Sequence, residues 1–239
     1  MKWARKIHKW ASLIVSLQFL IWLGTGLYFN LMDHHKAAGY TYKAEHSPAP
    51  AWHELSLLEP ADVLAQHEAS ATLTLISLAN KPYYLLNHQR GLYAHFANLY
   101  SLIDATNGQA ITVDAEFARV LAQTSYSGPG AVASTTLMQP PIADFLKQQN
   151  PLWQVNFADE INTSVYIEAQ SGRLVGHSDE HKRLADFFLK LHFMDYANTG
   201  SFNNVLMMFF AIAALGLCGS GLIWTIVLAR RGFVRRSPG

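Results

Sequence analysis

The sequence predicts an α+β membrane protein, with two transmembrane helices flanking an extramembrane domain built from two α+β repeats. Two observations carry this reading. Ala11–Leu31 and Val205–Leu228 are apolar runs without a charged residue, and each exceeds the roughly 20 residues needed to cross a ~30 Å hydrocarbon core. Between them, one pattern of strand, turn, strand and helix occurs twice at an offset of 64 residues.

In chain order, residues 1–10 form a basic N-terminus carrying Lys2, Arg5, Lys6 and Lys9. The first span follows at 11–31, too long for the apolar core of a signal peptide and without an A-x-A site behind it, so it reads as a retained anchor. Residues 32–58 read as a linker. The first repeat occupies 59–126. It opens with a short helix at Glu59–Glu68 and continues with strands at Thr72–Ala79 and Pro82–His88. A hairpin through Tyr100–Ile111 is marked by Asn107-Gly108, and an amphipathic helix closes the repeat at Asp114–Gln123.

The second repeat occupies 127–191. Leu152–Phe157 supplies a strand, and Val165–Val175 repeats the hairpin. Glu168 stands where Asp104 stood, Ala169 matches Ala105, and Gly172 matches Gly108. A helix over Asp179–Leu191 follows, which points to duplication of a small α+β unit. Residues 192–204 form a juxtamembrane segment, 205–228 the second span, and 229–239 a basic tail with Arg230, Arg231, Arg235 and Arg236. Eight of the 18 Lys and Arg residues therefore flank the spans at the two termini. This places both termini in the cytoplasm and the central domain outside it.

Composition excludes several classes. A net charge of +1 offers nothing to a nucleic acid. The single cysteine, Cys218, lies in the second span, so no internal disulfide or cysteine-based metal cluster forms. HExxH, GxSxG, Walker A and CxxCH patterns are missing, and the last absence excludes c-type haem attachment. Ser127-Gly-Pro-Gly130 reads as a turn. Asp33, Glu160 and Asp195 are isolated carboxylates. Tyr83, Tyr84, Tyr93, Tyr100 and Trp153 line a groove or, more commonly for strand aromatics, fill the core.

Histidine is the chemically suggestive residue, with 11 in the chain. His8 lies at the cytoplasmic mouth of the first span, His34 and His35 at its outer end, and His192 about a dozen residues before the second span. Paired imidazoles suit a haem that transfers electrons, because no coordination position is left for substrate. Two spans enclose a porphyrin poorly, but a two-fold homodimer supplies four and pairs each histidine with its copy. Small residues, namely Gly24, Gly26, Gly216, Gly219, Ser220 and Gly221, permit close helix approach. His46, His53, His67, His88, His95, His177 and His181 read as surface residues. Met194 and Met207 read as apolar filler with the capacity to ligate iron.

The hairpin VYIEAQSGRLVG, the stretch LADFFLKLHFMDY leading into the second span, and the start RKIHKW leading into LGTGLYF resemble PepSY-domain membrane proteins of the membrane-anchored, reductase-like branch. The resemblance covers nearly the whole chain. It implies a bacterial inner-membrane protein with periplasmic PepSY-like repeats. It further implies transmembrane electron transfer with haem b, delivering electrons to a periplasmic acceptor such as a ferric siderophore or a flavoprotein. Reductase-like members have four spans where this chain has two. The other readings are a non-catalytic subunit that docks a partner in a membrane complex, and a module that binds a periplasmic protein or peptide through a strand edge.

Overall fold

The computed structural model describes residues 2–45, 55–89, 91, 93–197, 199–201 and 204–236. His46 and His53 lie outside them, as does much of the linker expected at 32–58. The elements run α1 (Lys2–Leu31), α2 (His34–Ala37), α3 (Pro60–Gln66), β1 (Thr72–Leu78), β2 (Lys81–Gln89), β3 (Leu99–Asp104), β4 (Ala110–Ile111) and α4 (Ala115–Ser125). They continue with β5 (Val132–Met138), β6 (Leu152–Phe157), β7 (Ser164–Glu168), β8 (Leu174–Ser178), α5 (Glu180–His192) and α6 (Val205–Arg236). The chain forms two compact units, residues 33–185 and the pair of segments 1–32 with 186–239.

The first unit holds two four-stranded antiparallel sheets, ordered β1-β2-β3-β4 and β5-β6-β7-β8. The turns at Asp104–Gly108 and Glu168–Gly172 have the same hydrogen-bond pattern. Gly108 N–H donates to the Asp104 carbonyl and Gly172 N–H to that of Glu168, both at 2.9 Å. Asp104 N–H reaches Gln109 and Glu168 N–H reaches Arg173, again at 2.9 Å. Each turn therefore spans five residues, wider than the two-residue hairpin that Asn-Gly usually signals. Only the glycines take the left-handed conformation in them, with φ of +75° at Gly108 and +68° at Gly172.

The true two-residue hairpin joins β1 to β2. There Ala79 and Asn80 both have positive φ, +47° and +64°, as a type I′ turn requires.

The two sheets share one core. Leu78, Tyr83, Leu85 and Leu102 from the first meet Val155, Phe157, Val165 and Ile167 from the second, with Ala118, Leu121 and Ala122 of α4 among them. The Trp153 indole N–H donates to the Val113 carbonyl at 2.9 Å across the halves. Part of the expected linker joins this body. Asp33 caps the short α2 by accepting from the N–H groups of His35 and Lys36, and Lys43 bridges to Tyr126. Tyr83 and Tyr84 are core residues, whereas Tyr93 is exposed.

In the second unit, α1 and α6 contain apolar stretches of 24 residues (His8–Leu31) and 26 residues (Val205–Arg230). At 1.5 Å per residue these reach about 36 and 39 Å, enough for a bilayer core. A core helix of a soluble protein would bury such residues. Here Leu13, Ile14, Leu17, Leu20, Leu23 and Leu27 on α1, and Phe209, Ile212, Leu215, Leu222 and Ile223 on α6, are exposed. Their outward apolar faces match a lipid environment. Val15, Trp22, Met194, Phe210, Ala214 and Leu217 form the small cluster where the helices meet. The span glycines take no part in it: a Cβ at Gly24, Gly26, Gly216, Gly219 or Gly221 would meet nothing within 4 Å.

Candidate functional site

His192 ends α5, and the chain after it is shaped by a Schellman cap. Asp195 N–H donates to the Lys190 carbonyl at 3.0 Å and Met194 N–H to that of Leu191 at 3.3 Å. The left-handed position of this cap normally belongs to glycine. Met194 occupies it at φ +53°, at a cost of about 1–2 kcal/mol. Its side chain, 5% exposed, lies in the α1–α6 cluster, and that burial offsets the strain.

Asp195 fixes the following loop. Its carboxylate accepts from the N–H and hydroxyl of Thr199 at 3.0 and 2.9 Å and from the N–H of Gly200 at 2.7 Å. Burial pushes its pKa up, but these hydrogen bonds outweigh burial and hold it below the usual carboxylate range. This carboxylate, isolated in the sequence, is a loop-capping group.

Three α1 residues on one helical stripe receive His192. Trp22 donates its indole N–H to the His192 carbonyl at 2.7 Å. Thr25, 3% exposed, places its hydroxyl oxygen 2.8 Å from Nδ1 of the ring and 2.8 Å from the Ile21 carbonyl. Phe29 meets the imidazole edge-on with centroids 5.5 Å apart, and Phe193 does the same at 5.2 Å. One turn earlier on α5, Phe188 stacks on Tyr28 at 4.0 Å. Nε2 of His192 has no hydrogen-bond partner among the described residues, and a ring nitrogen of this kind is what a haem iron takes as an axial ligand. The residues present fit such a ligand: a ring held at Nδ1, free at Nε2 and bordered by aromatic edges.

The other candidate ligands are placed differently. His8 is exposed on α1, 17 residues before Thr25, which is about 25 Å along the helix axis. A single iron therefore cannot be shared by His8 and His192 of one chain. His34 and His35 lie in the other compact unit, both exposed on α2, with His35 edge-on to Tyr40 at 5.8 Å. Among the described residues, no group of three or more His, Cys, Asp or Glu side chains gathers to hold a metal ion.

His177 is not the surface residue expected. It is 1% exposed on β8, with Nε2 3.1 Å from the Ser125 hydroxyl, and burial lowers its pKa to about 4.

Sequence reasoning missed the groups on α1 that matter here. Thr25 and Gln18 are polar residues inside a charge-free span, and such residues are expensive in a membrane unless they have a task. Gln18 is 6% exposed and its side-chain N–H group has no partner among the described residues.

A family model described as PepSY-associated TM region matches residues 1–226. No curated protein and no solved structure matches the chain.

Proposed function

The chain belongs to the PepSY-associated TM region family, and we propose that it takes part in transmembrane electron transfer with b-type haem held by its own histidines. The observation that carries this reading is the His192 imidazole, fixed at Nδ1 by a buried threonine and unpartnered at Nε2 among the described residues. Haem bound there would supply one-electron exchange at iron.

The chain's own groups provide the rest. Trp22 anchors the end of α5, Phe29 and Phe193 border the ring and limit water, and His192 offers Nε2. His8, about 25 Å away along α1, marks a second position near the opposite end of the span. Each iron needs a further imidazole. In a homodimer it comes from the partner copy. The glycine faces of α1 and α6, open in one chain, support contact with such a copy.

In this reading the protein sits in a bacterial inner membrane with both termini in the cytoplasm, as the basic residues at both ends favour. The sheet domain is periplasmic and faces the electron acceptor, a ferric chelate or a flavoprotein.

Absorption spectra of the full chain in detergent, oxidised and dithionite-reduced, test the proposal. The expected result is a reduced b-type α-band that His192→Ala weakens or shifts. A colourless protein from haem-supplied cells would overturn it in favour of a subunit that docks a partner protein.

A further inference from the structure

We infer that Thr25 is a positioning residue that sets the tautomer of His192, holding the proton on Nδ1 and leaving the lone pair on Nε2.

The argument is a count of hydrogen bonds. The Thr25 oxygen stands 2.8 Å from both the Ile21 carbonyl and Nδ1 of His192. A hydroxyl has one proton to donate and lone pairs to accept with. A carbonyl only accepts, so the bond to Ile21 takes the hydroxyl proton, the back-bond common for threonine in helices. The oxygen then meets Nδ1 with a lone pair, and Nδ1 must carry the hydrogen. This arrangement makes two hydrogen bonds. The opposite tautomer turns the hydroxyl toward Nδ1, gives up the bond to Ile21 and makes one. It also leaves an Nε2–H donor without an acceptor among the described residues, and unmade bonds cost most where water is scarce. Thr25 is 3% exposed, so water does not compete for its oxygen.

The consequence for the site rests on the reading of His192 as an iron ligand. An imidazole that donates from Nδ1 is a better electron donor at Nε2, and its ring is held in one orientation. Thr25 therefore favours the ferric state of a bound haem and tightens its binding. A neutral hydroxyl does this more weakly than a carboxylate, since hydrogen bonds to ionised partners are about twice as strong.

The test uses the full chain in detergent, with ¹⁵N-labelled histidine and the His192 signal assigned by its loss in His192→Gln. In wild type without haem, His192 should show the Nδ1–H tautomer. Thr25→Ser should keep it, and Thr25→Val should lose it. In haem-loaded protein, Thr25→Val should bind haem about tenfold or more weakly, raise the midpoint potential and change the low-spin electron paramagnetic resonance signature. Thr25→Ser should restore all three.

An Nε2–H tautomer in wild type overturns the inference, and so does a Thr25→Val protein matching wild type in tautomer, affinity and potential. If wild type shows the Nδ1–H tautomer but takes up no haem, the haem reading fails and the positioning role stands. If Thr25→Val does not fold, the wild-type tautomer and the Thr25→Ser protein still decide.

Discussion

The indole N–H of Trp22, in the middle of α1, donates to the main-chain carbonyl of His192 at 2.7 Å. The last four carbonyls of a helix have no partner within it, so a side chain 170 positions away in sequence supplies a hydrogen bond to the C-terminal turn of α5. The same residue meets Phe210 of α6 edge-on at 5.7 Å. One side chain thus ties three helical elements together. Trp22→Phe keeps an aromatic ring but removes the donor. It should lower stability by about 1–3 kcal/mol, the cost of leaving a carbonyl short of its partner. Thermal unfolding in detergent measures this, and an unchanged midpoint would show that the carbonyl finds another donor at no cost.

Ala79→Gly should stabilise the sheet domain. Ala79 has φ +47° in the β1–β2 turn, a conformation that crowds the Cβ of an L-residue. Removing that Cβ relieves about 1–2 kcal/mol of strain. The added chain entropy of glycine in the unfolded state takes back roughly 0.5–1 kcal/mol. A net gain of up to about 1.5 kcal/mol is expected in a urea titration. A loss would mean that the Ala79 methyl, which packs against the shared core, contributes more than the strain costs.

The spans were legible in the sequence because charge-free runs of this length have few other uses. The first hairpin was legible from Asn107-Gly108 and the second from its match to the first at an offset of 64 residues, and in both the glycine N–H closes the turn onto a main-chain carbonyl, that of Asp104 or Glu168. Strand β5, VASTTLM, was missed: it carries two threonines and a serine, and its half-exposed positions give no clear alternation. His177 was misjudged because its burial is tertiary. The chain at Gly39 passes so close that a Cβ there would lie 2.6 Å from the His177 carbonyl oxygen, and no local pattern encodes that approach. His192 was legible as a candidate, but Thr25 was not. A threonine in an apolar span satisfies its own hydroxyl on the preceding turn, and only the arrival of α5 gives its oxygen a second use.

Gln18→Leu should raise the stability of the helix pair. The Gln18 side chain is buried and its N–H group is unpartnered among the described residues. Leucine of similar size removes that penalty, worth roughly 1–3 kcal/mol for a buried unsatisfied group. Unfolding of the helix pair in bicelles should shift accordingly. A clear destabilisation would instead assign Gln18 a hydrogen-bond partner in the assembled protein.

The sheet domain should lose stability in mild acid through His177. Its pKa is lowered from 6.5 to about 4, mainly by burial and then by the nearby Lys43. The folded chain therefore keeps the ring neutral over a range in which the unfolded chain protonates it. The stabilising effect of the neutral ring is complete above about pH 6.5. It declines as pH falls toward 4 and is gone below that, because the unfolded state binds the extra proton throughout the interval. A shift of this size corresponds to about 3 kcal/mol. His177→Gln, which cannot take up a proton, should flatten the dependence between pH 6.5 and 4 while lowering stability at neutral pH. If urea midpoints of wild type and variant fall in parallel across that interval, the acid sensitivity belongs to the carboxylates and not to this ring.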